Sequence, residues 1–424
     1  MRIGDVIHIF PPTMAQRGKS CRLFVVVVGV LVVVGSTAPS VQEEVGWGGG
    51  VEGVLPITQG GNYPRIATIV SAPSDHGSAS QTLLWLACVG QGLPNGGAAL
   101  NVYSANTPIT TAKGPTQAPV NWRLHGTVTV DADPSNDLAK CFLQPLDPVR
   151  HPGVVVAAFR HHAACSGAAC QSYTLQTTIS HDFGKTWEPT PAIITNSSTG
   201  VWEPFLFQPD AARNPGRLQC FYSKELQLPS VTPRAQDIVV QESHDSGRSW
   251  QPAVRTVVHR NNSRPGMPGV SLLPDNSTLL VFERTVAWTQ FRVEYVRSFD
   301  GGRSWDESGL VYAPRGRDAG APQVAYSSAT SKVYVSFMTN DNHPAPVPPW
   351  VQGAAAKVSA SLHPCTESEC NIAFPTALPT YTITPASSFW PAVFQARGRG
   401  DNTSSVFAVT GFNDTAWITS HSLV

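Results

Sequence analysis

Apolar residues in this chain come in short runs. Thr82 to Val89, Val154 to Arg160, Thr174 to Ile179, Arg217 to Glu225, Thr278 to Glu283 and Val333 to Thr339 are rich in β-branched and aromatic residues, and Gly, Pro, Asn or Asp residues separate such runs. Almost nowhere do apolar positions recur every three or four residues. The pattern therefore predicts many short strands joined by tight turns, with almost no amphipathic helix.

One phrase is written three times: Ser180 to Trp187 (SHDFGKTW), Ser243 to Trp250 (SHDSGRSW) and Ser298 to Trp305 (SFDGGRSW). Each copy follows a strand-like run, where the chain must reverse. Its Asp can accept hydrogen bonds from turn N–H groups, its Gly supplies a positive φ, and its Trp buries a large ring beside the hairpin. Copies spaced roughly 55 to 65 residues apart imply a repeated structural unit, and that spacing suits four-stranded propeller blades. The phrase resembles the Asp box of sialidases and related propeller glycosidases. The resemblance implies that it joins the third and fourth strands of a blade on the outer rim, so that Asp182, Asp245 and Asp300 are structural and not catalytic.

The chain thus reads as all-β, a six-bladed β-propeller with Asp-box hairpins, occupying residues 41–424 as a single domain. First strands are expected at Tyr63-Pro64, Lys140 to Leu143, Val201 to Phe205, Arg264 to Pro268, Gly320 to Gln323 and Phe389 to Ala392. A strand near Val54 to Ile57 is expected to complete the last blade and close the ring. Gly48, Gly50 and Gly53 have dinucleotide-fingerprint spacing but lack the preceding strand and following helix that such a site needs.

Lys plus Arg and Asp plus Glu each total 29, and charged residues make up only 14%, which leaves no electrostatic footprint for nucleic acid or an anionic membrane. Residues 1–40 read as a secretory signal: Arg17, Lys19 and Arg22 precede the apolar run Leu23 to Gly35 and the small residues Ser36, Thr37 and Ala38. Met14 would be a more conventional start. The competing reading is a membrane anchor, because Pro39 is a poor residue just after a cleavage point. Sequons at Asn196, Asn261, Asn276, Asn402 and Asn413 agree with export. So does cysteine usage, with Cys165/Cys170 and Cys365/Cys370 spaced for short-loop disulfides and one of Cys88, Cys141 and Cys220 left as a free thiol. The disulfide reading outweighs a zinc site at His161 and His162. The expectation is a secreted, extracellular monomer with no stable membrane association after signal removal, no metal and no cofactor.

Five first strands open with a Pro: Tyr63-Pro64, Glu203-Pro204, Met267-Pro268, Ala321-Pro322 and Trp390-Pro391. Pro is tolerated at the first residue of a strand. In a propeller the first strand is innermost, so these openings should ring the axis on the face where second strands end. That face is expected to receive Arg65, Arg160, Tyr222, Glu225, Arg264 and Trp390 as substrate-binding residues, Tyr222 and Trp390 as sugar-stacking platforms. It also receives two carboxylates, Glu203 and Glu283, which suit glycoside hydrolysis. Glu203, between Trp202 and Pro204, has an apolar setting fit for acid/base work, which leaves Glu283 as nucleophile. Arg284 should point away by alternation, and Glu225 is read as the counterpart of Glu283 in the preceding blade.

The openings YPRI, WEPF, RPGMP, GAPQ and FWPAVF, with returns ending YSKE and VFE, resemble glycoside hydrolase family 93, the exo-arabinanase group. The likeness spans about residues 60 to 420. It implies an exo-acting enzyme that cleaves α-1,5-linked arabinan or a related plant polysaccharide with retention, using two glutamates that fall on Glu203 and Glu283. An exo-α-sialidase is the first alternative, although its arginine triad would have to be assembled from Arg65, Arg160 and Arg284, and no Tyr-Glu pair is evident. A non-catalytic carbohydrate-binding propeller is the second.

Overall fold

The computed structural model describes residues 54–71, 82–108, 115–167, 169–196, 198–209, 213–226, 235–286, 290–342, 353–375, 381–384, 388–397, 404–412, 415–419 and 422–423. The signal segment, Met14, Gly48, Gly50, Gly53, Asn402 and Asn413 lie outside them. All regular elements among the described residues are strands, arranged in six antiparallel sheets that follow one another along the chain.

Blade one comprises Gly61–Ser71, Thr82–Gly92, Ala98–Pro108 and Arg123–Asp131. Blade two has Asp137–Pro145, Val155–Ser166 and Ala169–Ser180, edged by the short Glu188–Pro189 and Ile194–Asn196. Blade three runs Val201–Phe207, Leu218–Glu225, Gln236–Ser243, Val254–Val258, and blade four Gly266–Leu272, Thr278–Val286, Gln290–Ser298, Glu307–Tyr312. Blade five has Ala319–Ser327, Lys332–Thr339, Ala355–Ala360 and Tyr381–Thr384. Blade six is shared: Ser388–Arg397, Ser404–Phe412 and Thr415–Thr419 are joined by Val54–Gln59, with Leu55 opposite Ile418. The ring therefore closes with strands from both ends of the chain, as the sequence predicts.

Second strands are apolar on both faces because every blade lies between two others. Leu83 to Val89 and Leu279 to Phe282 are buried throughout. A buried apolar cluster fills each junction from blade one/two round to six/one. At the closing junction Trp85 meets Phe407 edge-on at 5.1 Å. Burying a large side chain contributes about 1.5–3 kcal/mol, so the six junctions are the main source of stability.

The Asp boxes clip blade to blade. In the first, Asp182 Oδ1 accepts the N–H of Lys185 at 3.1 Å and of Thr186 at 2.9 Å, and Oδ2 accepts the Thr186 hydroxyl at 2.7 Å. Partial burial alone would raise its pKa, but these bonds prevail and hold it at about 2. Asp245 and Asp300 bond Ser249 and Ser304 in the same way. The turn uses two consecutive left-handed residues, Phe183-Gly184, Ser246-Gly247 and Gly301-Gly302. Trp187, Trp250 and Trp305 then pack into the junction with the preceding blade.

Cys165–Cys170 and Cys365–Cys370 form as expected. Cys88 pairs with Cys141 across blades one and two, which leaves Cys220 as the buried free thiol. His161 and His162 each have other work: His161 Nε2 lies 2.6 Å from Asp131, and His162 Nε2 lies 2.9 Å from the Val201 carbonyl. Asn261 and Asn276 are exposed and Asn196 is half-buried.

A candidate active-site well on the axis

Each first strand carries the same irregularity. Two residues step out of the ladder between Asn62 and Arg65, Ala139 and Phe142, Trp202 and Phe205, Gly266 and Gly269, Gly320 and Gln323, and Phe389 and Ala392. The first of each pair is Tyr63, Lys140, Glu203, Met267, Ala321 or Trp390, with φ from 46° to 62°. Non-glycine residues seldom adopt such angles, and here one does in every blade. The second is Pro in five blades, where its missing N–H costs no ladder bond. In blade two it is Cys141, which the disulfide to Cys88 ties to blade one.

The bulged side chains meet on the axis. Tyr63, Met267 and Ala321 pack with Met338, Ala354, Phe389 and Trp390 in a cluster contributed by blades one, four, five and six. Opposite the residue that precedes each bulge stands a second-strand residue: Gly90, Arg160, Ser223, Glu283, Met338 or Gly411. Of these twelve positions only Lys140, Arg160, Glu203 and Glu283 carry charge, and all four belong to blades two, three and four. Charge is thus gathered on one side of the ring, and the apolar cluster draws on blades one, four, five and six.

Glu203 is partly open to solvent and Arg160 Nη1 lies 3.8 Å from its Oε1. Burial raises the Glu203 pKa above the usual carboxylate range, opposed by the charges of Arg160, Lys140 and Arg264. Glu283 Oε2 accepts the bulge N–H of Ala321 at 2.7 Å. Its pKa is pushed up to about 7, chiefly by burial and in part by the charge of Glu203; the Ala321 bond and Arg264 only partly offset this. Glu203 stands on the bulge of blade three and Glu283 opposite the start of the bulge of blade four, so the two carboxylates belong to neighbouring blades at the same level of the ring.

Arg160 is 5% exposed and gives Nη2 to both oxygens of Asp137, at 3.0 and 2.8 Å. Arg65 stacks its guanidinium 3.9 Å from the Tyr63 ring centroid and donates to the carbonyls of Pro64 and Trp390. Arg264 Nη1 lies 3.6 Å from Glu225. Arg284 turns away to Glu294 at 2.8 Å, so Arg65, Arg160 and Arg284 do not converge.

Three expectations change in detail. Tyr222 is fully buried between blades two and three, its hydroxyl bonded to Gln241 at 3.1 Å, and offers no face to a sugar. Glu225 is not the counterpart of Glu283: the register gives that place to Ser223, two residues earlier, and Glu225 instead accepts the Gly200 N–H at 3.0 Å. Trp390 packs in the cluster at the bulges, but the Lys140 ammonium lies 3.1 Å from its ring centroid and covers one face of the ring. Lys140 is the residue that sequence reasoning missed. Its signal was the gap in the Pro series, five openings for six blades.

Residues 178–189, the first hairpin, match the model of the BNR/Asp-box repeat family. No curated protein matches the chain. Among solved structures, an α-L-arabinanase of Penicillium chrysogenum complexed with arabinobiose aligns with TM-score 0.55 and 17% identity, covering 87% of this chain and 98% of its own. The family 93 α-L-arabinofuranosidase of Fusarium graminearum, also with arabinobiose, aligns with TM-score 0.56 and 16% identity over 87% and 98%. This chain shares their fold. A Dyadobacter fermentans protein of unknown function has it too, with TM-score 0.52 and 14% identity over 87% of this chain and 97% of its own. The likeness in fold to these propellers extends over 87% of this chain.

Proposed function

We propose that this protein is a secreted glycoside hydrolase of arabinan type, releasing units from the end of α-1,5-linked chains by a two-glutamate retaining mechanism. What supports the reading is the pair Glu203 and Glu283, at the bulges of neighbouring blades, with the charge of Glu203 among the causes that raise the Glu283 pKa. The arabinobiose held by two propellers of the same fold supports arabinan as the substrate class.

Their surroundings favour roles opposite to those expected from the sequence. Glu283, with a pKa of about 7 and only an N–H bond to its carboxyl, suits the group that starts protonated. Glu203, beside Arg160 and Lys140, suits the group that starts ionised. Glu203 then attacks the anomeric carbon while Glu283 donates its proton to the leaving oxygen. In the second step Glu283, now a carboxylate, takes a proton from water as the water displaces Glu203.

The test is hydrolysis of linear α-1,5-arabinan, with a sialoside as control, by the parent, Glu203→Gln and Glu283→Gln. The parent should cleave arabinan alone, and each variant should lose about 10²–10⁴-fold in rate. Parent-like rates in both variants would sink the assignment.

A further inference from the structure

Lys140 has an unusual setting for a lysine. It is 7% exposed, sits on a strained left-handed bulge, and makes no ion pair with a described residue. Its ammonium is instead held by rings, 3.1 Å from the centroid of Trp390 and 4.2 Å from that of Tyr63. A ring face attracts a cation without neutralising it. The charges around it are Glu203 and Asp137, which favour the ammonium, and Arg160 and Arg65, which oppose it. Arg160 is engaged with both oxygens of Asp137, so the field of Lys140 has Glu203 as its remaining carboxylate.

We propose that Lys140 is a positioning residue for Glu203, an ammonium caged by Tyr63 and Trp390 whose uncompensated charge keeps that carboxylate ionised at the start of the reaction. The cage explains its pieces. Trp390 gives up one face of its ring to hold the ammonium, and the Cys88–Cys141 disulfide fixes the one bulge that lacks proline. Burial and the neighbouring Arg160 lower the Lys140 pKa well below the usual lysine value, while Glu203 supports its charge. The support is therefore mutual, and removing either partner should move the other's titration. The groups facing Glu203 are Arg160, Lys140, Arg264, Asp137, Tyr63 and Glu283. Among the described residues, Arg160 and Arg264 each lie against another carboxylate, Asp137 and Glu225, and Lys140 does not.

The catalytic part of this inference rests on the two-glutamate reading, but the electrostatic part is tested without substrate. In protein labelled with ¹³C at glutamate side-chain carboxyls, the resonance missing from Glu203→Gln identifies Glu203. Lys140→Met should raise its titration midpoint by about one unit, and Lys140→Arg should leave it near the parent value. Reciprocally, Glu203→Gln, which retains Lys140, should lower the midpoint of the Lys140 amine followed by ¹⁵N resonance, so a Lys140→Met chain that fails to fold does not end the test. On arabinan, Lys140→Met should lose about tenfold in kcat/KM below the parent's acidic limb and recover as pH rises. Unmoved midpoints of Glu203 and Lys140 overturn the proposal whether or not arabinan is cleaved. Moved midpoints without cleavage uphold the pairing and overturn the arabinan reading.

Discussion

Rim and axis solve the same problem of bending a chain sharply, and they solve it in opposite ways. At the rim the shape of the turn is made by side chains. Asp182, Asp245 and Asp300 each bond the residue four places on, and each box repeats Ser, Asp, Gly and Trp. At the axis the shape is made by backbone: a left-handed residue, then Pro or a disulfide-tied Cys. The left-handed residues are Tyr, Lys, Glu, Met, Ala and Trp, no two alike. Where geometry depends on side chains their identity must recur. Where the backbone supplies it, side chains are released for chemistry.

The contrast is broken most severely by substitutions that exchange its terms. Glu203→Gln and Glu283→Gln should lose about 10²–10⁴-fold in arabinan cleavage, measured by initial rates, with a Tm at pH 5 close to the parent's. Removing the axial tie by Cys88→Ser with Cys141→Ser should cost about 2–4 kcal/mol, read from denaturant midpoints, and should disturb the well because it frees the Lys140 bulge.

A carboxyl with a raised pKa is most favourable to the fold while protonated. The contribution of Glu283 is fully present below pH 4.5 and is lost as pH rises through about 7. Glu283→Gln should therefore gain roughly 1–3 kcal/mol on the parent above pH 7, while the parent's activity falls over the same range as the acid loses its proton. Chemical denaturation at pH 5 and pH 8.5 measures the first, a pH–rate profile the second. Asp245→Ala, on the rim, should cost about 1–2 kcal/mol through lost turn bonds and leave the rate per folded molecule unchanged. Tyr222→Phe should be mildest, losing the one bond to Gln241 for about 0.5–1.5 kcal/mol with less than about twofold change in rate.

The rim was legible in the sequence because its turns are written in residue types. The boxes, the blade count, the closing strand and two disulfides all follow from spacing and composition. The axis was legible only where Pro marks the bulge, which is why Glu203 was found and Lys140 was not: Cys141 replaces Pro, and a disulfide partner 53 residues away leaves no local mark. The bulges also explain Glu225. Each adds two unpaired residues to a first strand, so counting from strand ends slips the register, and the true counterpart of Glu283 is Ser223. Tyr222 failed for a related reason, because a second strand buried on both faces has no open side for alternation to reveal.

The central claim, that chemistry belongs to the axis and architecture to the rim, is tested most directly by one side-by-side assay. Parent, Glu203→Gln, Glu283→Gln and Asp245→Ala are compared for sugar released from linear α-1,5-arabinan per folded molecule. The account predicts full rates for the parent and the rim variant and loss in both axial variants. A rim variant as inactive as the axial ones, or axial variants as active as the parent, contradicts it.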